Sequence, residues 1–194
     1  EAAVQALRVA LEADLFQAVP DRRIRACYQD LCATASTALT DHQRLTPEQR
    51  DIAGRLLGSG PFPGHETRIG VGISDDLPAI DWAMIPKVDS KTGHGEWTYQ
   101  NKKHKPLETF WIARYPVTHA QFQVFLDAPD GFHNERWWKG LAASKEHRSK
   151  PDEQYFEYWN HPRDDVSWYD AVAFCLWLTE KAKAHPNLLP AELD

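Results

Sequence analysis

Cysteine is scarce in this sequence, three in 194 residues, and methionine occurs once. Cys27, Cys32 and Cys175 form an odd set without a C-x-x-C pair, which excludes the even disulfide framework of a small secreted domain and fits a reducing cytosol. Cys27 and Cys32 lie five apart, on different sides of a helix, a spacing that suits neither a disulfide nor a shared metal, and Cys27 reads as a core position. No run approaches the roughly 18 consecutive apolar residues of a membrane helix. The amino end is acidic and amphipathic rather than basic and then apolar, so no membrane association is expected and the expected location is cytoplasmic. Cations are in deficit as well, 22 Lys and Arg against 28 Asp and Glu, for a formal charge of −6. The two basic clusters, Arg22-Arg23-Ile24-Arg25 and Lys102-Lys103-His104-Lys105, are short and flanked by acid, so they read as solvated surface and no nucleic-acid partner is expected. No G-x-G-x-x-G, P-loop, G-x-S-x-G or H-E-x-x-H motif is present, which removes the sequence support for nucleotide and hydrolase readings.

What is present is a globular composition, 42% apolar and 26% charged, enough to bury a core of one or two ordinary domains. Val4, Leu7, Ala10, Leu11 and Leu15 recur at helical spacing, and Asp21 opens a second helix through Ile24, Cys27, Tyr28, Leu31 and Ala35. Thr46-Pro47-Glu48-Gln49 is a capping box with proline at the first helical position, starting a helix that stops at Gly58. The breaker-rich stretch from Gly58 to Gly64 marks a boundary. The expected organisation is a helical adaptor over 1–58, a linker over 59–76 and a domain over 77–194.

Past the boundary the pattern shortens. Ile80–Ile85, Glu96–Gln100 and Thr109–Tyr115 read as strands. Capping boxes at Thr118-His119-Ala120-Gln121 and Ser167-Trp168-Tyr169-Asp170 start two helices. In the second, Trp168, Val172, Cys175 and Leu176 fall on one face, expected to dock on a sheet. Between these helices runs a loop from about Pro129 to Asp165, longer than the roughly 12–15 residues beyond which loops are usually functional or disordered. Periodicity alone implies an α+β fold.

Three blocks carry a resemblance. They are Phe110-Trp111-Ile112-Ala113-Arg114-Tyr115-Pro116-Val117-Thr118-His119-Ala120-Gln121-Phe122, then Gly131-Phe132 with Trp137-Trp138, and finally His161-Pro162 with Val166-Ser167-Trp168-Tyr169-Asp170-Ala171-Val172-Ala173-Phe174-Cys175-Leu176-Trp177-Leu178. Together with Asp81-Trp82-Ala83-Met84-Ile85-Pro86, they make residues 77–194 resemble the first half of a formylglycine-generating-enzyme (sulfatase-modifying-factor) domain, which implies a C-type-lectin-like fold. The sequence departs from the family at His119, where Asn is usual, and at Lys87-Val88-Asp89-Ser90, where a glycine-rich turn is usual. The resemblance implies that calcium loops and a copper-binding cysteine pair belong to a second half beyond Leu188-Leu189-Pro190-Ala191-Glu192-Leu193-Asp194, so no cofactor, metal ligand or catalytic residue is expected in this chain.

The ergothioneine-type iron synthases related to this family need His-x-x-x-His-x-Glu on a helical face, and the amino-terminal helices offer only His42, with His65 past their end. Asp75-Asp76, Asp127/Asp130 and Asp164-Asp165 lack the alternating ligands and central glycine of a calcium loop, and read as ordinary loop carboxylates. The aromatic residues crowding the long loop are the remaining functional hint, because Trp and Tyr are enriched at recognition surfaces. Phe132, Trp137, Trp138, Tyr155, Tyr158 and Trp159 are the expected binding residues. The expectation is a non-catalytic ligand- or protein-binding module of a multidomain bacterial protein, the alternative being the scaffold half of a copper-dependent oxidase that converts cysteine to formylglycine. Expected partners are a protein or peptide ligand, the remaining half of the domain, or a preceding signalling domain.

Overall fold

The computed structural model describes residues 30–37, 39, 45–59, 66–87, 97–99, 102–104, 107–142 and 148–190. The helices expected before residue 30 and the breaker-rich stretch at 60–64 lie outside the described residues, as do residues 88–90. Residues 30–37 are helical, and α1 follows at Pro47–Gly58. Thr46 caps α1 as its sequence requires: its hydroxyl accepts from the Gln49 amide at 3.3 Å, and the Thr46 amide donates to Gln49 Oε1 at 3.0 Å. Ala35, Ala53, Leu56 and Leu57 form a small core between the two helical runs.

The strands are short and pair in twos. Strand β1 (Ile73–Ser74) pairs antiparallel with β2 (Leu77–Pro78), and the turn residues Asp75 and Asp76 both have positive φ, 50° and 58°. That is the twist of a tight hairpin, which aspartate tolerates better than bulkier residues, so the role of Asp75-Asp76 is turn formation. Strand β3 (Trp82–Ile85) pairs with β6 (Phe110–Ala113), Trp82 facing Ala113 and Ile85 facing Phe110, while β4 (Trp97–Tyr99) pairs with β5 (Lys102–His104).

Helix α2 spans His119–Asp127 and α3 spans Trp168–Ala184, with a 3-10 turn at Glu135–Trp138 between them and another at Pro186–Leu188. Gln121 ties α2 to the hairpin region: it is fully buried, its Oε1 accepts from the Thr118 amide at 3.1 Å, and its Nε2 donates to the Gly72 and Ala79 carbonyls at 3.2 and 3.1 Å. Thr118 Oγ1 donates to the Val71 carbonyl at 2.7 Å. Residues 66–76, expected as linker, are therefore packed on the domain, and Glu66 is only 1% exposed.

The main core lies where α2, α3 and the first 3-10 turn meet. It holds Leu77, Phe122, Phe125, Phe132, Trp137, Trp138, Ala173, Phe174 and Trp177. Phe122 stacks on Phe174 with centroids 5.3 Å apart, Phe125 meets Trp177 at 5.4 Å and Phe132 meets Trp138 edge-on at 5.1 Å. At ~25 cal/mol per Å² such aromatic burial supplies most of the driving force available here. Gly131 makes the sharp entry possible, because a Cβ there would lie 1.9 Å from the Phe125 carbonyl oxygen.

The face expected of α3 is corrected. Trp168 is 68% exposed and Leu176 and Cys175 are also at the surface, whereas Ala173, Phe174 and Trp177 are buried against α2 and the 3-10 turn rather than a sheet. Both stripes have helical spacing, so periodicity could not choose between them. The stripe with Phe174 and Trp177 buries more apolar area, and it wins.

Candidate functional site

Within the long loop a described segment from residue 148 onward is folded around three polar side chains. Arg163 is the pin: its side chain is 4% exposed and its Nη1 donates to Gln154 Oε1 at 3.0 Å and to the Asp164 carbonyl at 2.7 Å. Nη2 of the same guanidinium donates to the Asp152 carbonyl, and the group lies over the Phe122 ring at 5.5 Å. Burial lowers the Arg163 pKa, with the neighbouring carboxylates, Asp164 first, working in the opposite direction. Gln154 closes the loop by donating to the Phe156 and Pro162 carbonyls at 2.9 and 3.2 Å and accepting from the Asp164 amide at 3.2 Å. Asp164 then accepts from two successive amides, Tyr155 at 2.8 Å and Phe156 at 3.3 Å.

The consequence is a fixed backbone that holds two aromatic rings in solvent. Tyr155 is 78% and Phe156 52% exposed, their rings 5.0 Å apart and nearly perpendicular. Exposed rings on a backbone held by charge-assisted bonds are pre-ordered for contact, since less chain entropy remains to be lost on binding.

Behind these rings the chain forms a strap, residues 158–163, clamped on both sides. Toward α2, the amides of His119 and Ala120 donate to the His161 and Trp159 carbonyls, both at 2.8 Å, and the Arg163 amide donates to the Val117 carbonyl at 2.9 Å. Two amides left over at the start of α2 are thereby satisfied by the strap. Toward α1, the Trp159 amide donates to the Gly58 carbonyl at 2.8 Å, and Asn160 Nδ2 donates to the Gly54 carbonyl at 2.7 Å. The fit at Gly58 is close enough that a Cβ would lie 2.2 Å from Asn160 Oδ1. His119 stacks on Trp159 with centroids 4.3 Å apart. Its pKa is pushed down to about 4, by burial first and by the Arg163 charge second, against an opposing pull from Asp164. His161 is lowered in the same sense by burial and then by Arg55, with Asp51 and Asp164 opposing.

The six expected binding residues divide. Phe132, Trp137 and Trp138 are core residues, with Trp137 Nε1 donating to the Asp130 carbonyl at 2.6 Å and Trp138 Nε1 to the Phe132 carbonyl at 2.8 Å. The two indoles find partners inside the protein, and these three residues are buried rather than at the surface. Tyr155 is exposed, and Tyr158 and Trp159 are half-buried. Gln154, Arg163 and Asp164, which shape the site, escaped the sequence reading. Most of their hydrogen bonds join positions eight to eleven residues apart without periodicity, and the only available signal was Asp164-Asp165 within an aromatic loop.

Among the described residues no three His, Cys, Asp or Glu side chains converge as metal ligands. The Cys175 thiol on α3 is pushed up by desolvation. None of the described helices is long and apolar enough to cross a membrane.

Comparison with known proteins gives one match. The sequence model of the sulfatase-modifying factor enzyme 1-like domain matches residues 85–193, a stretch that takes in β6, both capped helices, the aromatic core and the Tyr155–Phe156 loop. No curated protein and no solved structure matches the chain. Because the matched stretch is more than half of the 194 residues, the chain belongs to the family of sulfatase-modifying factor enzyme 1-like domains.

Proposed function

We propose that this chain is a non-catalytic binding module that recognises a protein or peptide through the loop carrying Tyr155 and Phe156. The observation that supports the reading most is the contrast within that loop: two large aromatic rings face solvent while the backbone beneath them is held by Arg163, Gln154 and Asp164. Fully burying an exposed ring is worth about 1.5–3 kcal/mol, and contact with a partner would bring most of that for Tyr155 and about half of it for Phe156. Tyr158 and Trp159, half-buried and stacked near His161 and His119, are assigned no contact with the partner.

The test replaces Tyr155 in the complete protein with a photoreactive benzoylphenylalanine, with the same substitution at Leu107 as control, and irradiates each in an extract of the cells that make it. A defined adduct at 155 and none at 107 is the expected result. Equal labelling at both positions, or none at 155, would sink the binding reading. A parallel copper-supplemented assay of the complete protein on a cysteine-containing peptide should give no turnover, and conversion to formylglycine would replace this reading with the oxidase scaffold.

A further inference from the structure

We infer that the partner segment taken by the Tyr155–Phe156 loop is cationic and arginine-containing. This rests on the binding reading above and assigns the chemistry of its ligand. Asp152, Glu153 and Glu157 flank the two rings in sequence and are exposed. Asp165 is exposed and follows directly on Asp164, whose carboxylate holds the amides of both ring-bearing residues.

The cations nearby are already engaged. Arg163 is enclosed, hydrogen-bonded to Gln154 and two backbone carbonyls and ion-paired with Asp164 at 3.6 Å, Lys150 pairs with Glu153 at 3.1 Å, and Arg55 pairs with Asp51 at 2.9 Å. Asp152, Glu157 and Asp165 have no ion-pair partner among the described residues. The Arg163 charge acts on Asp152 and Asp165 as well as on Asp164, yet one guanidinium among four carboxylates leaves the segment around the aromatic pair with an excess of negative charge.

That combination selects its occupant by exclusion and by fit. An acidic ligand or nucleic acid would be repelled, and an apolar one would strip water from three carboxylates without replacing it. A guanidinium stacks its plane on an aromatic face and presents a fork of donors to a carboxylate at its edge, which a lysine ammonium does less well. Aromatic faces with carboxylates beside them can meet both requirements at once.

The experiment is calorimetric titration of the full chain with nine-residue peptides of arginine, lysine or glutamate, each at 50 and 300 mM salt. Arginine should bind more tightly than lysine and glutamate should not bind. Asp152→Asn/Glu157→Gln/Asp165→Asn should weaken the arginine peptide about tenfold, roughly half a decade or less per exposed carboxylate. Asn is used at Asp165 because the residue has φ 47°, which Asn tolerates. Tyr155→Ser/Phe156→Ser should erase the preference for arginine over lysine. Glu108→Gln/Glu180→Gln, away from the loop, should change nothing, and an unshifted melting temperature shows that each variant is folded. The inference is overturned if the loop and control variants lose affinity equally, if neither loses any, or if the glutamate peptide binds. A positive cross-link at position 155 combined with any of those results refutes the cationic partner and leaves the binding reading standing; failure of both refutes both.

Discussion

Acidification should loosen the strap before it affects most of the molecule, and His119 sets the window. In the unfolded chain this imidazole takes its proton near pH 6.5, whereas in the folded protein burial beside Trp159 and Arg163 delays protonation to about 4. Its folded-state pKa is depressed, so the unfolded state binds more protons throughout that interval and stability falls as pH drops from 6.5 toward 4. At about 1.4 kcal/mol per pH unit the loss would be on the order of 3 kcal/mol for a fully enclosed ring. His119 is only half-buried, and solvent screening reduces the expectation to roughly 1–2 kcal/mol. His161 adds to the loss in the same direction. Urea midpoints measured for the wild type and His119→Gln at pH 7.5, 6.0, 5.0 and 4.5 should converge or cross, because the glutamine variant lacks this proton uptake. Ending the series at pH 4.5 leaves Asp130 ionised, because hydrogen bonds from Lys181 and Trp177 hold it below its ordinary value. Parallel pH profiles for the two proteins, or an imidazole that titrates near 6.5 by NMR in the folded state, would refute the argument.

Other substitutions separate the core from the loop. Trp138→Ala should cost ~3–5 kcal/mol in denaturant melts, the usual range for a buried indole, while Tyr155→Ser should stay within about 0.5 kcal/mol. Gly58→Ala should destabilise by roughly 1–3 kcal/mol in a thermal melt although alanine is the better helix former, because the added methyl collides with Asn160 and Tyr158. Asp164→Ala should leave the protein folded but sharply raise hydrogen exchange at the amides of Tyr155 and Phe156, and unchanged protection there would show that the carboxylate does not hold them.

Much of the frame was legible because its signals are local. The boxes at Thr46, Thr118 and Ser167 each use two side chains three residues apart, and all three close as read. The strands at Trp82–Ile85, Trp97–Tyr99 and Phe110–Ala113 fall within their expected stretches. Legibility failed where two local patterns competed or where partners were distant in the chain. Helix α3 has apolar residues on two faces, and only the position of Phe125 and Phe132 decides which one is covered. Trp137 and Trp138 sit in a segment without periodicity, so nothing in their spacing distinguished an inward turn from an exposed loop. The Arg163 pin depends on carbonyls across a closed loop, and carbonyls have no sequence signature.

The strap that completes the start of α2 also dictates an order of events during synthesis. Thr118 and Gln121 emerge together, but the carbonyls that receive the amides of His119 and Ala120 belong to residues 161 and 159, about forty positions later. Until those residues leave the ribosome, α2 has a frayed first turn and the aromatic face carrying Phe122 and Phe125 lacks Phe174 and Trp177 to cover it. A nascent chain halted shortly before Tyr158 is therefore an exposed, aggregation-prone species, and the interval between the synthesis of α2 and of α3 is the stretch over which a chaperone that binds aromatic segments would be needed.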